Sequence, residues 1–177
     1  MQMLAGSTEK EASLLIKYGK DGMLLSFRDI ANSLLNTNGP LPESLVLFRG
    51  AIGSLNAAQT AADVRKIFLG NDHALHASSL IDFFTDLADA NEREGDILMR
   101  CATDKHLYAL RDTAMELLVG RIHLTVNQAD ALDPFWSEIR ELALPVTVKE
   151  ISKTLFHHFQ GRLQLLQGIV IPVLSAV

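Results

Sequence analysis

A single cysteine, Cys101, leaves no partner for an intramolecular disulfide, so nothing covalent staples this chain. That fits a reducing compartment. No stretch holds the roughly 18 apolar residues that a membrane-crossing helix needs. The opening residues 1–10 lack a basic segment followed by an apolar one, and they also lack the Arg-rich pattern of a transit peptide. A cytoplasmic or otherwise intracellular protein without a signal peptide is therefore expected. Glycine-rich phosphate loops of the G-x-G-x-x-G or Walker A type are missing as well. Sixteen Lys and Arg stand against 21 Asp and Glu, for a net charge of −5. The cations are scattered, whereas phosphate binding needs them clustered, so no nucleic-acid partner is expected.

The last fifteen residues, Leu163 to Val177, carry no charge at all. Glutamines, a glycine and Pro172 interrupt the run, which makes it a poor membrane anchor. A segment this apolar needs a cover: its own core, a second copy, another protein or lipid. Burying half of it removes several hundred Å² of apolar surface, a gross gain on the order of 10 kcal/mol.

What is present reads as helix from end to end. Thr8 with Glu11, Thr60 with Asp63 and Thr147 with Glu150 make capping boxes, each before an apolar periodic run. Gly19 and Gly22 read as stops after the first helix. Met23, Leu24, Phe27, Ile30, Ala31, Leu34 and Leu35 recur at three- and four-residue steps up to the Asn38-Gly39-Pro40 loop. Pro42 starts another helix, with Leu45, Val46, Phe48, Ile52 and Leu55 on its apolar side. The next runs bury Val64, Ile67 and Phe68, then Leu75, Leu80, Ile81, Phe83, Phe84 and Leu87. Asp82, Thr85, Asp86 and Asp89 face outward from the latter.

Gly95-Asp96 is expected to precede one helix over 97–119. Asp133-Pro134 signals a helix start and Leu144-Pro145 a stop. Ile151, Leu155, Phe159, Leu163 and Leu166 then form a seam on one last helix. Strand signals are absent. The expected fold is all-α: a single-domain bundle over residues 1–177, with about seven or eight helices and no sheet.

Several constellations bear on chemistry. His73 and His76 share a helix face, but no second pair completes a zinc shell, and His157 and His158 diverge by about 100°. Asp82, Asp86, Asp89, Glu92 and Glu94 line one region without the Glu-x-x-His step of di-metal bundles. No metal or cofactor is expected. Cys101 and His106 are five residues apart, a poor spacing for a nucleophile and its base, and Cys101 reads as a buried, inert thiol. Trp136 reads as packing the first turn of its helix onto the core. The pair of helices flanking residues 36–42 has too long a connection for a helix-turn-helix.

Arg100 and His106 are separated by Cys101-Ala102-Thr103-Asp104-Lys105. That spacing resembles the arginine–histidine motif of the all-α HEPN ribonucleases over seven residues. The resemblance implies an arginine that polarises phosphate and a histidine that transfers protons. Cys101 stands where such enzymes place a polar residue.

The function expected from these features is a non-enzymatic helical assembly or adaptor protein, acting through a protein partner or self-association. Its expected interface lies on the apolar C-terminal helix at Phe159, Leu163, Leu166, Ile169, Val170, Ile171, Val173 and Leu174. The alternative is a small-molecule-binding or sensor bundle with a pocket lined by Phe83, Phe84, Phe156 and Phe159. A HEPN-like ribonuclease ranks below both.

Overall fold

The computed structural model describes residues 7–36, 53–70, 79–157 and 163–176, without the side chains of 34–36, 156 and 157. Among the described residues there are ten α-helices and no strand. The fold is all-α. It divides into two compact units, Met1–Ser78 and Ser79–Val177.

In the first unit, α1 spans Glu9–Tyr18, α2 Asp21–Asn36 and α3 Ala61–Leu69. The expected boxes form: Glu11 N–H donates to Thr8 Oγ1 and Asp63 N–H to Thr60 Oγ1, both at 3.2 Å. Hydrogen bonds from the Thr60 hydroxyl and backbone, then from Gln59, hold the Asp63 carboxyl below its ordinary range. Helix α3 packs on both α1 and α2. Leu24, Ala31, Leu55, Ala58, Ala61 and Val64 form the core, with Phe27, Ile67 and Phe68 against it. Arg65 Nη2 donates to the Gly19 carbonyl at 2.9 Å, which ties α3 to the turn between α1 and α2. Gly22, expected as a stop, lies inside α2. The Pro42 helix start and most of its apolar run lie outside the described residues.

In the second unit, α4 is Leu80–Ala88, α5 Glu92–Cys101, α6 Asp104–Leu118, α7 Val126–Leu132, α8 Trp136–Ala143, α9 Val148–His157 and α10 Leu163–Ser175. A short 3-10 turn over Asp133–Phe135 joins α7 to α8, so Asp133-Pro134 opens a tight turn and α8 begins at Trp136. The expected helix over 97–119 is two helices. Its break falls at Ala102-Thr103, because Thr103 starts a new capped turn, and Gly95 sits inside α5 instead of before a helix. Ile81, expected in the core, is 54% exposed, since the buried stripe of α4 runs through Phe83, Phe84 and Leu87.

Two helices organise this unit. Helix α6 packs on α4, α8, α9 and α10, and α10 packs on α4, α6 and α7. The uncharged α10 buries Leu165, Leu166, Ile169, Val170 and Pro172. Its one long polar side chain facing α4 is put to use. Gln167 Nε2 donates to the carbonyls of Leu87, Ala88 and Ala90 at 3.3, 3.0 and 2.9 Å, covering the open C-terminal end of α4.

Two glycines set how closely helices approach. A Cβ on Gly95 would lie 2.7 Å from Leu163 Cδ1, and one on Gly168 would lie 2.6 Å from Cδ2 of the fully buried Leu132. Glycine costs helix propensity at both places, and tertiary contact outweighs that cost.

The close approach has a measurable sign. In open helix, as at Gly22, a Cβ meets nothing within 4 Å. Gly22→Ala should therefore raise stability by up to about 1 kcal/mol. Gly168→Ala should lower it by about 1 kcal/mol or more, because Leu132 must be displaced. Urea denaturation of both variants checks this, and two shifts of the same sign would contradict the packing described.

Candidate functional site

Helix α10 turns one side inward. Of the residues expected to form an interface, Leu166, Ile169 and Val170 are buried in the second unit's own core. Leu163 is half-buried against Gly95, Val173 and Leu174 are half-buried, and Ile171 is 40% exposed. Phe159 lies outside the described residues. The surface left on α10 is thus Ile171 with the outer parts of Val173 and Leu174.

The polar constellations are structural caps in the main. His106 is 5% exposed, and its ring stacks on Phe83 with centroids 4.0 Å apart and planes at 14°. Nδ1 accepts the Thr103 N–H at 3.0 Å and lies 3.1 Å from Thr103 Oγ1. A nitrogen that accepts an N–H carries no proton of its own, so His106 is neutral here with its hydrogen on Nε2. Arg100 is well exposed and pairs with Asp96 at 2.8 Å, one turn back on α5. Cys101 is buried. Glu94, counted above with an acidic face, is buried and accepts the Asn91 N–H at 3.0 Å as the carboxylate of a capping box. Asp82 likewise caps α4, accepting from Ser79 N–H at 3.2 Å. Among the described residues no three His, Cys, Asp or Glu side chains gather as metal ligands; His73, His76 and His158 lie outside them. Phe83 and Phe84 are buried and tilted against each other at 6.2 Å, while the side chains of Phe156 and Phe159 lie outside the description. Trp136 is half-buried at the start of α8.

The surface with most to offer a partner was missed by sequence reading. Helix α6 buries His106, Leu107, Leu110, Thr113, Ala114 and Leu117 on one side. On the opposite side Tyr108, Met115 and Val119 recur at seven- and four-residue steps and are 37%, 43% and 59% exposed, with Leu118 exposed beside them. The signal was a second apolar stripe on an already amphipathic helix.

Arg111 lies at the edge of that stripe and is held firmly. Its Nε donates to Asp112 Oδ1 at 2.7 Å, and Nη2 lies 2.7 Å from the same oxygen. Nη1 donates to the Pro145 carbonyl at 3.2 Å, and the guanidinium carbon sits 5.3 Å from the Tyr108 ring centroid. The bond to Pro145 brings the 144–146 segment alongside α6, with Leu144 and Val146 both largely exposed. The outer face therefore carries apolar groups with the exposed Asp112 among them and the largely covered Arg111 at its edge.

Comparison with protein-family models, with curated proteins and with solved structures gives no match to this chain.

The state of His106 sets a pH dependence. Burial, with a smaller contribution from Lys105, holds its pKa below the ordinary 6.5. Well above pH 6.5 the histidine is neutral in both folded and unfolded chains. As pH falls below 6.5 the unfolded chain takes up the proton first, so stability is lost until the folded-state pKa is passed. The melting temperature should therefore drop between about pH 7.5 and 5.5. His106→Gln keeps an acceptor for Thr103 N–H but cannot titrate, so its melting temperature should fall less over that interval. Parallel slopes for the two proteins would contradict the buried neutral assignment.

Proposed function

We propose that this chain is a helical assembly or adaptor protein that acts through protein–protein contacts, without catalysis of its own. The observation that carries the reading is the outward apolar stripe of α6, Tyr108, Met115, Leu118 and Val119, exposed beside Leu144 and Val146. Large apolar side chains scattered singly need no explanation, but a stripe along one helix face, rimmed by charges, is the usual composition of a contact surface. The pinned Arg111 supports it, because a cation already held in place loses little freedom when a partner docks. Ile171, Val173 and Leu174 are the part of the C-terminal helix available to the same role. The buried Leu166, Ile169 and Val170 hold that helix in position.

The test is native size in an extract of the cells that make the protein. The full chain should run well above its own 19.5 kDa. A Met115→Lys, Val119→Lys variant, altered only at exposed positions, should keep its fold and shift to monomer size. A wild-type chain that runs at 19.5 kDa in the extract would contradict the proposal.

A further inference from the structure

We infer that the joint between α5 and α6 is an acid-operated hinge, in which a proton on His106 breaks the cap that starts α6 and residues 101–106 open.

The cap at this joint depends on one lone pair. In the boxes of Thr8, Thr60, Ser79, Asn91, Thr125 and Thr147 a carboxylate or amide oxygen accepts the N-cap N–H. Such oxygens go on accepting throughout the range in which histidine titrates. At Thr103 the acceptor is His106 Nδ1, 3.0 Å from the N–H. Protonation turns that atom into a donor, and two N–H groups then face each other. The Thr103 hydroxyl, 3.1 Å from the ring, can turn to accept the new N–H. The backbone N–H still loses its partner.

The surroundings oppose the charge as well. His106 is buried and stacked on the fully buried Phe83 of α4. It lies in the first turn of α6, where the helix presents the positive end of its dipole. Helix α10 brings no charge to α6. On α4, Asp82 caps its own helix, and Asp86 and Asp89 are the remaining charges. On α5, Glu94 is held by Asn91 N–H and Asp96 by Arg100, beside Glu92 and Arg93. Helix α8 carries Glu138, Arg140 and Glu141, and α9 carries Lys149, Glu150 and Lys153. None of these offsets a proton on the ring. The charge that bears on it is the neighbouring Lys105, a cation, which adds to the effect of burial.

The joint is where the protonated ring can reach water at least cost. Ala102 and Thr103 alone connect α5 to α6, and Thr103 is already exposed. Turning out the first turn of α6 frees the imidazole while Leu110, Ala114 and Leu117 stay in the core. Cys101, the buried last residue of α5, is uncovered by the same movement. Tyr108 follows two residues after His106, so one end of the outward stripe moves with the opened turn.

Cys101 is the single cysteine of the chain, so its labelling reads the joint directly. The native full chain is treated with dithiodipyridine, which reacts with thiols in acid as well as at neutral pH. Each rate is divided by that of the urea-unfolded chain at the same pH. The opened joint takes up a proton near the ordinary 6.5, whereas the closed one resists it. The ratio should therefore rise about tenfold between about pH 7.5 and 5.5. Addition of up to about 1 M urea should barely change it, because a local opening exposes little surface. In His106→Gln the ratio should be the same at both pH values, since glutamine fills this position in the box of α7 without titrating. His106→Glu provides a second comparison, because Glu11 and Glu94 fill it in α1 and α5. Circular dichroism at both pH values confirms that each protein is folded.

A wild-type ratio that does not change with pH would overturn the inference, as would an equal rise in both variants. Labelling as sensitive to urea as global unfolding would overturn it too, since acid would then be weakening the whole unit instead of opening a joint.

Discussion

An uncharged helix must be enclosed, and the second unit is arranged around that requirement. Leu163–Ser175 has no charged side chain to present to water, and its Leu165, Leu166, Ile169 and Val170 are buried among α4, α6 and α7. At about 1.5–3 kcal/mol for each fully buried aliphatic side chain, these four alone rival the net stability of a typical domain. Gly168 lets the helix sit close to Leu132, and Gln167 answers the open carbonyls at the end of α4. Pro172 removes one backbone donor near the end of the helix, where little ladder remains to be disturbed. The polar and small residues that interrupt the apolar run are therefore what make its enclosure complete.

Because α4, α8, α9 and α10 take up the inner side of α6, the outer side of α6 is the one left to face outward. The two stripes of α6 do different work. Leu107, Leu110, Ala114 and Leu117 hold the unit together, while Tyr108, Met115 and Val119 remain exposed. Arg111 links that outer stripe to the 144–146 segment through the Pro145 carbonyl. His106 serves to start α6. Its imidazole acts as the acceptor that a carboxylate or amide oxygen supplies in the other boxes.

The sequence showed best what is decided locally. The boxes at Thr8, Thr60 and Thr147 were legible because cap and acceptor lie three residues apart. The all-α class followed from periodicity. The glycines were misread: Gly22 and Gly95 resemble breakers, yet both lie inside helices, and the reason for Gly95 is a leucine 68 positions away that pattern alone does not reveal. The division of 97–119 into two helices was hidden because histidine is a rare partner in a capping box. For the candidate site, the uniform apolarity of α10 gave no way to tell its inner side from its outer one. The stripe on α6 was hidden by the stronger stripe on the same helix.

The most direct test of this account is to end the chain at Arg162 and measure helicity and urea unfolding beside the full chain. The core of the second unit loses Leu165, Leu166, Ile169 and Val170 together, and α4 loses the cover of Gln167. The expected result is loss of the cooperative transition of that unit and of helical signal well beyond the thirteen residues of α10 itself. A truncated chain that keeps the helicity of α4 to α9 and unfolds at the original midpoint would contradict it, and would mean that the uncharged helix is enclosed by something other than its own unit.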